Sequence, residues 1–320
     1  LGFQPDFIWF KDRTQAFSNR LYDTSRGISS TGGKRLFSNT TAAETDQTSG
    51  QDISAVGADG FTLGASDANY TNYNTDENVA WCWKANGGTT ASNSEGSTTC
   101  TVQANTKGGF SIITYSGTGS AATLGHGLEK APEFIMAKRR NSAAQSWKNY
   151  HVGLGATKYL TLNANAAAGT SSGMWNDTAP STTLISIGNE SNVSTSGLNY
   201  IIYAWHSVEG YSKFGKYEGN GDNDGPFIYM GFRPRMVVIK AIDSSQDWFV
   251  ADTARETFNP LGEKMLAWND SYAEFDPSGF NFDVVSNGIK IRSSDTNINS
   301  SATFIYMAWG DVPFKYNNTF

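Results

Sequence analysis

The stretch PDFIWFK occupies Pro5–Lys11, PEFIMAK occupies Pro132–Lys138 and PRMVVIK occupies Pro234–Lys240. Each opens on Pro, runs through contiguous bulky apolar residues and closes on Lys. A Pro-led apolar run this short, bounded by turn residues, is unsuited to a helix interior and reads as a buried strand. Its three appearances at equal length seed an internal repeat.

Further blocks extend the match. DTSR begins at Asp23 and DTAR at Asp252, and the interval from Lys11 to Asp23 equals that from Lys240 to Asp252; the middle copy has Tyr150 and His151 there instead. A Leu-x-x-Asn-x-x-x-Ala block follows as Leu36, Asn39, Ala43, then Leu160, Asn163, Ala167, then Leu266, Asn269, Ala273. NVAWCW, YIIYAW and FIYMAW close the copies, so that the spans Pro5–Trp83, Pro132–Trp205 and Pro234–Trp309 are nearly equal in length. Two copies carry an earlier block, FSIITYSGTG at Phe110–Gly119 and SKFGKYEGNG at Ser212–Gly221, both ending Tyr-x-Gly-x-Gly. The first copy has no room for it, so we expect a natural strand ahead of Leu1.

The closing blocks alternate. Val79, Trp81 and Trp83 share a face, as do Ile201, Tyr203 and Trp205, and Ile305, Met307 and Trp309. Period two with large residues on one face describes a strand covering a core, with Cys82, Ala204 and Ala308 small where the other face is crowded. Asp-Thr-x-Arg reads as a strand terminator with a local ion pair, and the repeated Asn as a turn former.

Abundant Gly, Ser, Thr and Asn, with 13% aromatic residues, favour strands and turns over helix. The expectation is an all-β chain of three tandem antiparallel β-sandwich repeats, jelly-roll or concanavalin-like. The boundaries are 1–84, lacking its N-terminal strand; a polar linker over 85–107; then 108–210 and 211–320. A period of roughly 100 residues is long enough for each copy to bury a core of its own.

A formal charge of −6 argues against a nucleic-acid partner. No apolar run is long enough to span a bilayer, and LGFQPDF lacks the features of a signal peptide. Cys82 and Cys100 could pair with each other or stand as free thiols, the second being the first expectation, and no Cys/His spacing suggests zinc. His126, His151 and His206 fall at unrelated positions of one copy, and nucleophile elbows and phosphate loops are absent. NGDNDG at 220–225 lacks the bidentate Glu of a calcium loop and reads as a turn. The expectation is therefore a protein that is not an enzyme and needs neither cofactor nor metal.

The loops between blocks differ among copies and hold the candidate ligand-binding residues: Tyr70, Tyr73, Trp175, Asn176, Asp177, Trp268, Asp270 and Tyr272. An aromatic ring covers the apolar face of a sugar while amides and carboxylates take its hydroxyls. The same residues also suit loops folded back on a sandwich, or subunit contacts.

Taken together, GFQPDFIWFKDR, GFSIITYSGTGSAATLGHGLEKAPEFIMAK, MWNDTAPSTT and KYEGNGDNDGPFIYMGFRPRMVVIK make the chain resemble repeat-containing virion proteins of tailed, especially marine, bacteriophages. The resemblance implies a structural β-sandwich module of the virion surface: a tail fibre, spike or baseplate component that presents loops to the host, with glycan as a ligand. It implies other virion proteins as partners and a homo-oligomer, a trimer first, which gains avidity from repeated weak sites. Three alternatives stand beside it: a capsid decoration or head-fibre protein, a polysaccharide depolymerase, and a bacterial adhesin or lectin.

Overall fold

A computed structural model of the chain describes residues 1–29, 33–47, 51–65, 71–142 and 144–310. The first third holds β1 (Phe7–Asp12), β2 (Arg20–Asp23), β3 (Lys34–Phe37), β4 (Thr45–Asp46), β5 (Ile53–Gly57), β6 (Gly60–Leu63) and β7 (Asn78–Trp83). Next come β8 (Ala91–Asn93), β9 (Cys100–Asn105), β10 (Phe110–Ser116), β11 (Ala122–Gly125), β12 (Phe134–Arg139), β13 (Lys148–His151), β14 (Lys158–Thr161), β15 (Gly169–Thr170), β16 (Leu184–Ile187) and β17 (Asn199–Trp205). The last third holds β18 (Ser212–Glu218), β19 (Phe227–Tyr229), β20 (Met236–Ala241), β21 (Phe249–Asp252), β22 (Leu266–Ala267), β23 (Phe282–Val285), β24 (Gly288–Ile291) and β25 (Thr303–Trp309). Two single-turn helices, α1 (Ser172–Trp175) and α2 (Thr296–Asn299), complete the described elements. The chain is all-β, and its strand pairs are antiparallel.

The Pro-led runs are β1, β12 and β20, and each lies beside a closing-block strand in the same register: Phe7 opposite Trp83, Phe134 opposite Trp205, Met236 opposite Trp309. Every residue of each run is buried because both faces are covered. Phe7 and Trp9, Phe134 and Met136, and Met236 and Val238 enter one central cluster. Ile8 and Phe10, Ile135 and Ala137, and Val237 and Ile239 enter three separate smaller clusters.

That central cluster is the main departure from separate cores. Trp83, Trp205 and Trp309 meet in it edge-on, with ring centroids 5.8, 5.4 and 6.2 Å apart. Edge-to-face contact sets the positive rim of one ring against the negative face of another, favourable beyond the area buried. The large alternating residues of the closing blocks face inward, and Cys82, Ala204 and Ala308 face the smaller clusters.

Residues 85–107 are not a linker. They hold β8 and β9, and β9 pairs with β10 from Asn105 opposite Phe110 to Thr101 opposite Thr114. Of the residues of β8 and β9, Cys100, Val102 and half-buried Ala104 turn to an apolar cluster. Buried Gln103, on the opposite face, donates from Nε2 to the hydroxyls of Thr24 and Ser25 at 3.1 and 2.7 Å. A strand near a sheet edge with one covered face needs few apolar residues, which is why its composition resembles a linker.

The three thirds are tied into a ring by corresponding contacts. Three backbone bonds, each 2.7 Å, run from Glu44 N to Arg140 O, from Ala168 N to Ile242 O and from Glu274 N to Arg13 O. A second set runs from Trp147 Nε1 to Phe37 O at 2.8 Å, from Trp248 Nε1 to Thr161 O at 3.3 Å and from Asn19 Nδ2 to Ala267 O at 3.1 Å. Asn39, Asn163 and Asn269, read as turn formers, fix these donors: their side-chain oxygens accept from the backbone N of Asn19, Trp147 and Trp248 at 3.1, 2.8 and 2.7 Å.

Candidate functional site: contacts, cleft and groove

The side chains that recur in the sequence do their chemistry inside the ring. Lys11, Lys138 and Lys240 are fully buried, and their ammonium groups donate to backbone carbonyls. Lys138 reaches Thr41 O at 2.9 Å and Lys240 reaches Asn165 O at 3.2 Å, each in the preceding third of the chain. Lys11 reaches Gln15 O at 3.2 Å and feels the charges of Asp12 and Asp270. Burial pushes these amines down to about 8, 7 and 8 for Lys11, Lys138 and Lys240.

Asp23 and Asp252 behave as the sequence suggests. Each accepts the backbone N of the Arg three residues on, at 2.9 and 3.0 Å, and pairs with its guanidinium. Each also accepts from another third of the chain: Tyr203 Oη donates to Asp23 at 2.6 Å and Trp81 Nε1 to Asp252 at 3.1 Å. His151 holds the corresponding place in the middle copy. The residue matching Tyr203 and Trp81 there is Met307, which has no proton to donate, so a buried Asp would lack its partner. His151 Nε2 instead meets Tyr306 O at 3.2 Å, and burial lowers its pKa to about 3.

The same contact changes as a set. Glu44 sits between Arg26 and Arg140, and Glu274 between Arg255 and Arg13. At the third contact the matching residues are Leu154, Ala168 and Ile242, packed against the central cluster. An Arg–Glu–Arg triad is replaced whole by an apolar trio, leaving no half-paired charge.

The predicted ligand residues separate into groups. Trp175 and Trp268, each 1% exposed, are core residues and offer no sugar platform. Trp268 stacks on Trp9 with centroids 4.1 Å apart, and Trp175 meets Tyr150 edge-on at 6.1 Å. The loops carrying them fold back, and burial of a large ring outweighs its use at the surface. Tyr70 lies outside the described residues. Tyr73 is exposed. Asn176 and Asp177 are exposed at left-handed φ of 50° and 47°. Asp270 and Tyr272 do come together: the charges of Asp270 and Asp247 raise the phenol pKa of Tyr272, which is 48% exposed.

Two concavities merit description. A polar cleft of about 350 Å³ is lined by Ser120, Ser172, Asn176 and Asn189 with intervening glycines. Its hydroxyls and amides suit a hydroxylated ligand. An apolar groove of about 590 Å³ runs along β7 and is walled by Trp81, Trp83, Phe110, Met236 and Trp309. Composition did not reveal the groove; the absence of a first-copy block like Phe110–Gly119 was the available signal.

Among the described residues, no group of three His, Cys, Asp or Glu is placed to hold a metal. The NGDNDG turn is internally bonded: Asn220 and Asp222 accept from the backbone N of Asp222 and Asp224, and Asp224 pairs with Lys290 at 2.6 Å. It joins β18 and β19, which lie in different sheets. Cys82 and Cys100 are free, and burial raises their thiols to about 12 and 11.

One protein-family profile matches residues 1–313, the Domain of unknown function (DUF7483). No curated protein and no solved structure matches the chain.

Proposed function

Because the chain belongs to the DUF7483 family, whose description assigns no activity, we propose its role from its architecture and its resemblance to phage virion proteins. It is a structural component of a bacteriophage particle, built of three β-sandwich copies closed into a ring. Its place is a tail fibre, spike or baseplate, where its loops meet the host surface, with glycan as the ligand class. The observation that carries this reading is the use of the recurrent side chains. Lys138, Lys240, Asp23 and Asp252 are buried in contacts that join one third of the chain to another, as suits a load-resisting scaffold. The Asn176 cleft and exposed Tyr272 beside half-buried Asp270 are the polar features taken as its ligand surface.

Electron microscopy of intact particles labelled with an antibody to this chain tests the location. Label at the tail supports the proposal, and label confined to the capsid shell favours a decoration protein. Purified chain incubated with host polysaccharide serves as the enzymatic control; new reducing ends would replace the structural reading with a depolymerase.

A further inference from the structure

At the edge of β7 the first sheet, among the described residues, lacks a strand that both of its counterparts have. β17 is flanked by β12 and β10, and β25 by β20 and β18. β7 is flanked by β1 alone among the described residues. Every residue of Tyr200–Trp205 and Phe304–Trp309 is buried, whereas Asn78, Val79, Ala80 and Cys82 of β7 are only half-buried. A second deficit lies beneath it. β11 pairs with β16 and β19 with β24, but the matching strand β6 pairs only with β5 among the described residues. As a result Val56, Phe61, Leu63, Ala80 and Cys82 stay partly open around Ile8 and Phe10.

We propose that the groove along β7 is an acceptor for an added antiparallel strand of the β10 and β18 kind, arriving from the Leu1 side. An unpaired edge offers a row of backbone donors and acceptors, and a strand that pairs with it takes its affinity from the ladder and its specificity from side-chain pockets. The two filled positions state what the occupant looks like. Tyr115 stacks on Tyr200 and donates its hydroxyl to Val193 O at 2.7 Å; Tyr217 stacks on Phe304 and donates to Ile298 O at 2.7 Å. Three residues before each Tyr, Ile112 and Phe214 point into the central cluster. The occupant is thus an extended segment with a large apolar residue three before a Tyr, running into Gly-x-Gly.

The approach is set by spacing. β10 begins at Phe110 and β18 at Ser212, and the interval from Phe110 to Pro132 equals that from Ser212 to Pro234. Leu1, Gly2 and Phe3, just ahead of Pro5, already line the groove. A strand joined ahead of Leu1 at the same interval would reach β7, and its intervening residues would pass β6 as β11 and β19 pass β16 and β24.

A copy of residues 212–229 joined directly ahead of Leu1 places the copied Ser212 at that same interval before Pro5. Hydrogen exchange of the Asn78–Trp83 amides is the readout. The joined copy is expected to slow that exchange by about tenfold or more and to raise the thermal midpoint. A copy carrying Phe214→Pro and Gly215→Pro is expected to do neither, because it cannot form the ladder. A synthetic peptide of residues 212–229 added to the original chain is a second arm, and saturable slowing at β7 supports the site even if the fusion does not fold. Unchanged exchange at β7 in both arms overturns the proposal. Concentration-dependent dimerisation of the original chain that already protects β7 also overturns it, because the groove would then belong to a second copy.

Discussion

Arg13 and Glu274 stand 261 residues apart in the chain and meet side by side, guanidinium Nε and Nη2 each 2.8 Å from a carboxylate oxygen. The pair closes the ring between its first and last thirds. Arg255 shares the same carboxylate at 2.9 Å, so one Glu bridges two guanidinium groups, which pair on their other sides with Glu77 and Asp252. Glu274→Ala leaves both in a poorly hydrated contact and is expected to cost about 3 kcal/mol, read from the midpoint of urea unfolding. A change below about 0.5 kcal/mol would show that the pair is no more than a surface contact.

The same Glu gives an acid-side signature. Burial pushes its carboxyl up, but the bonds from Arg13 and Arg255 outweigh this and hold it below the ordinary value. A depressed carboxylate contributes stability above its unfolded pKa, which is lost as pH falls through the folded value. The loss is therefore expected below about pH 4.3. Glu274→Gln should flatten that part of the stability curve, while Arg13→Lys should keep most of it.

The buried lysines act on the opposite side. Their folded pKa values of about 7 to 8 lie below the unfolded value, so between these limits the unfolded chain binds more protons. Stability is expected to rise from about pH 7 to about pH 10.4. Lys138→Met should lower this slope by up to about 1.4 kcal/mol per pH unit, the contribution of one proton. Unfolding curves across that range, with an unchanged slope in the variant, would refute a neutral buried amine.

The Leu154–Ala168–Ile242 contact invites a reciprocal test. Ala168→Glu alone sets a charge between apolar side chains and should destabilise by about 2 kcal/mol. Adding Ile242→Arg rebuilds the pairing made by Glu44 and Arg140, and should recover about 1 kcal/mol or more in a double-mutant cycle. Additive costs would mean that the backbone bond from Ala168 N to Ile242 O is the determinant of this contact.

Large rings in the loops divide by role. Trp268→Ala empties a stack in the central cluster and should cost about 3–5 kcal/mol in calorimetry. Tyr272→Ala should leave stability within about 0.5 kcal/mol and weaken retention on a host-glycan array. Equal melting with undiminished glycan retention would remove Tyr272 from the proposed ligand surface.

What was legible in the sequence was what repeats at fixed spacing. The runs ending at Lys11, Lys138 and Lys240 and the alternation ending at Trp83, Trp205 and Trp309 each state a local geometry. That the three Trp rings meet is a relation among distant segments, and spacing within a segment carries no information on it. Residues 85–107 looked like a linker because a strand with one covered face, as in β8 and β9, needs few apolar side chains. Trp175 and Trp268 resembled ligand platforms because a ring in a polar loop has the same sequence context whether the loop faces solvent or turns inward. His151 was visible as an exception, but its reason, Met307, lies in a different third of the chain.

The unequal contacts have an evolutionary side. In an assembly of three identical chains, any substitution appears at all three junctions at once. With the junctions written into one polypeptide, Arg–Glu–Arg can give way to Leu–Ala–Ile at a single junction while the other two keep their charges. Within one polypeptide each contact is free to diverge alone, so three surfaces with different loops can ride on one common hub.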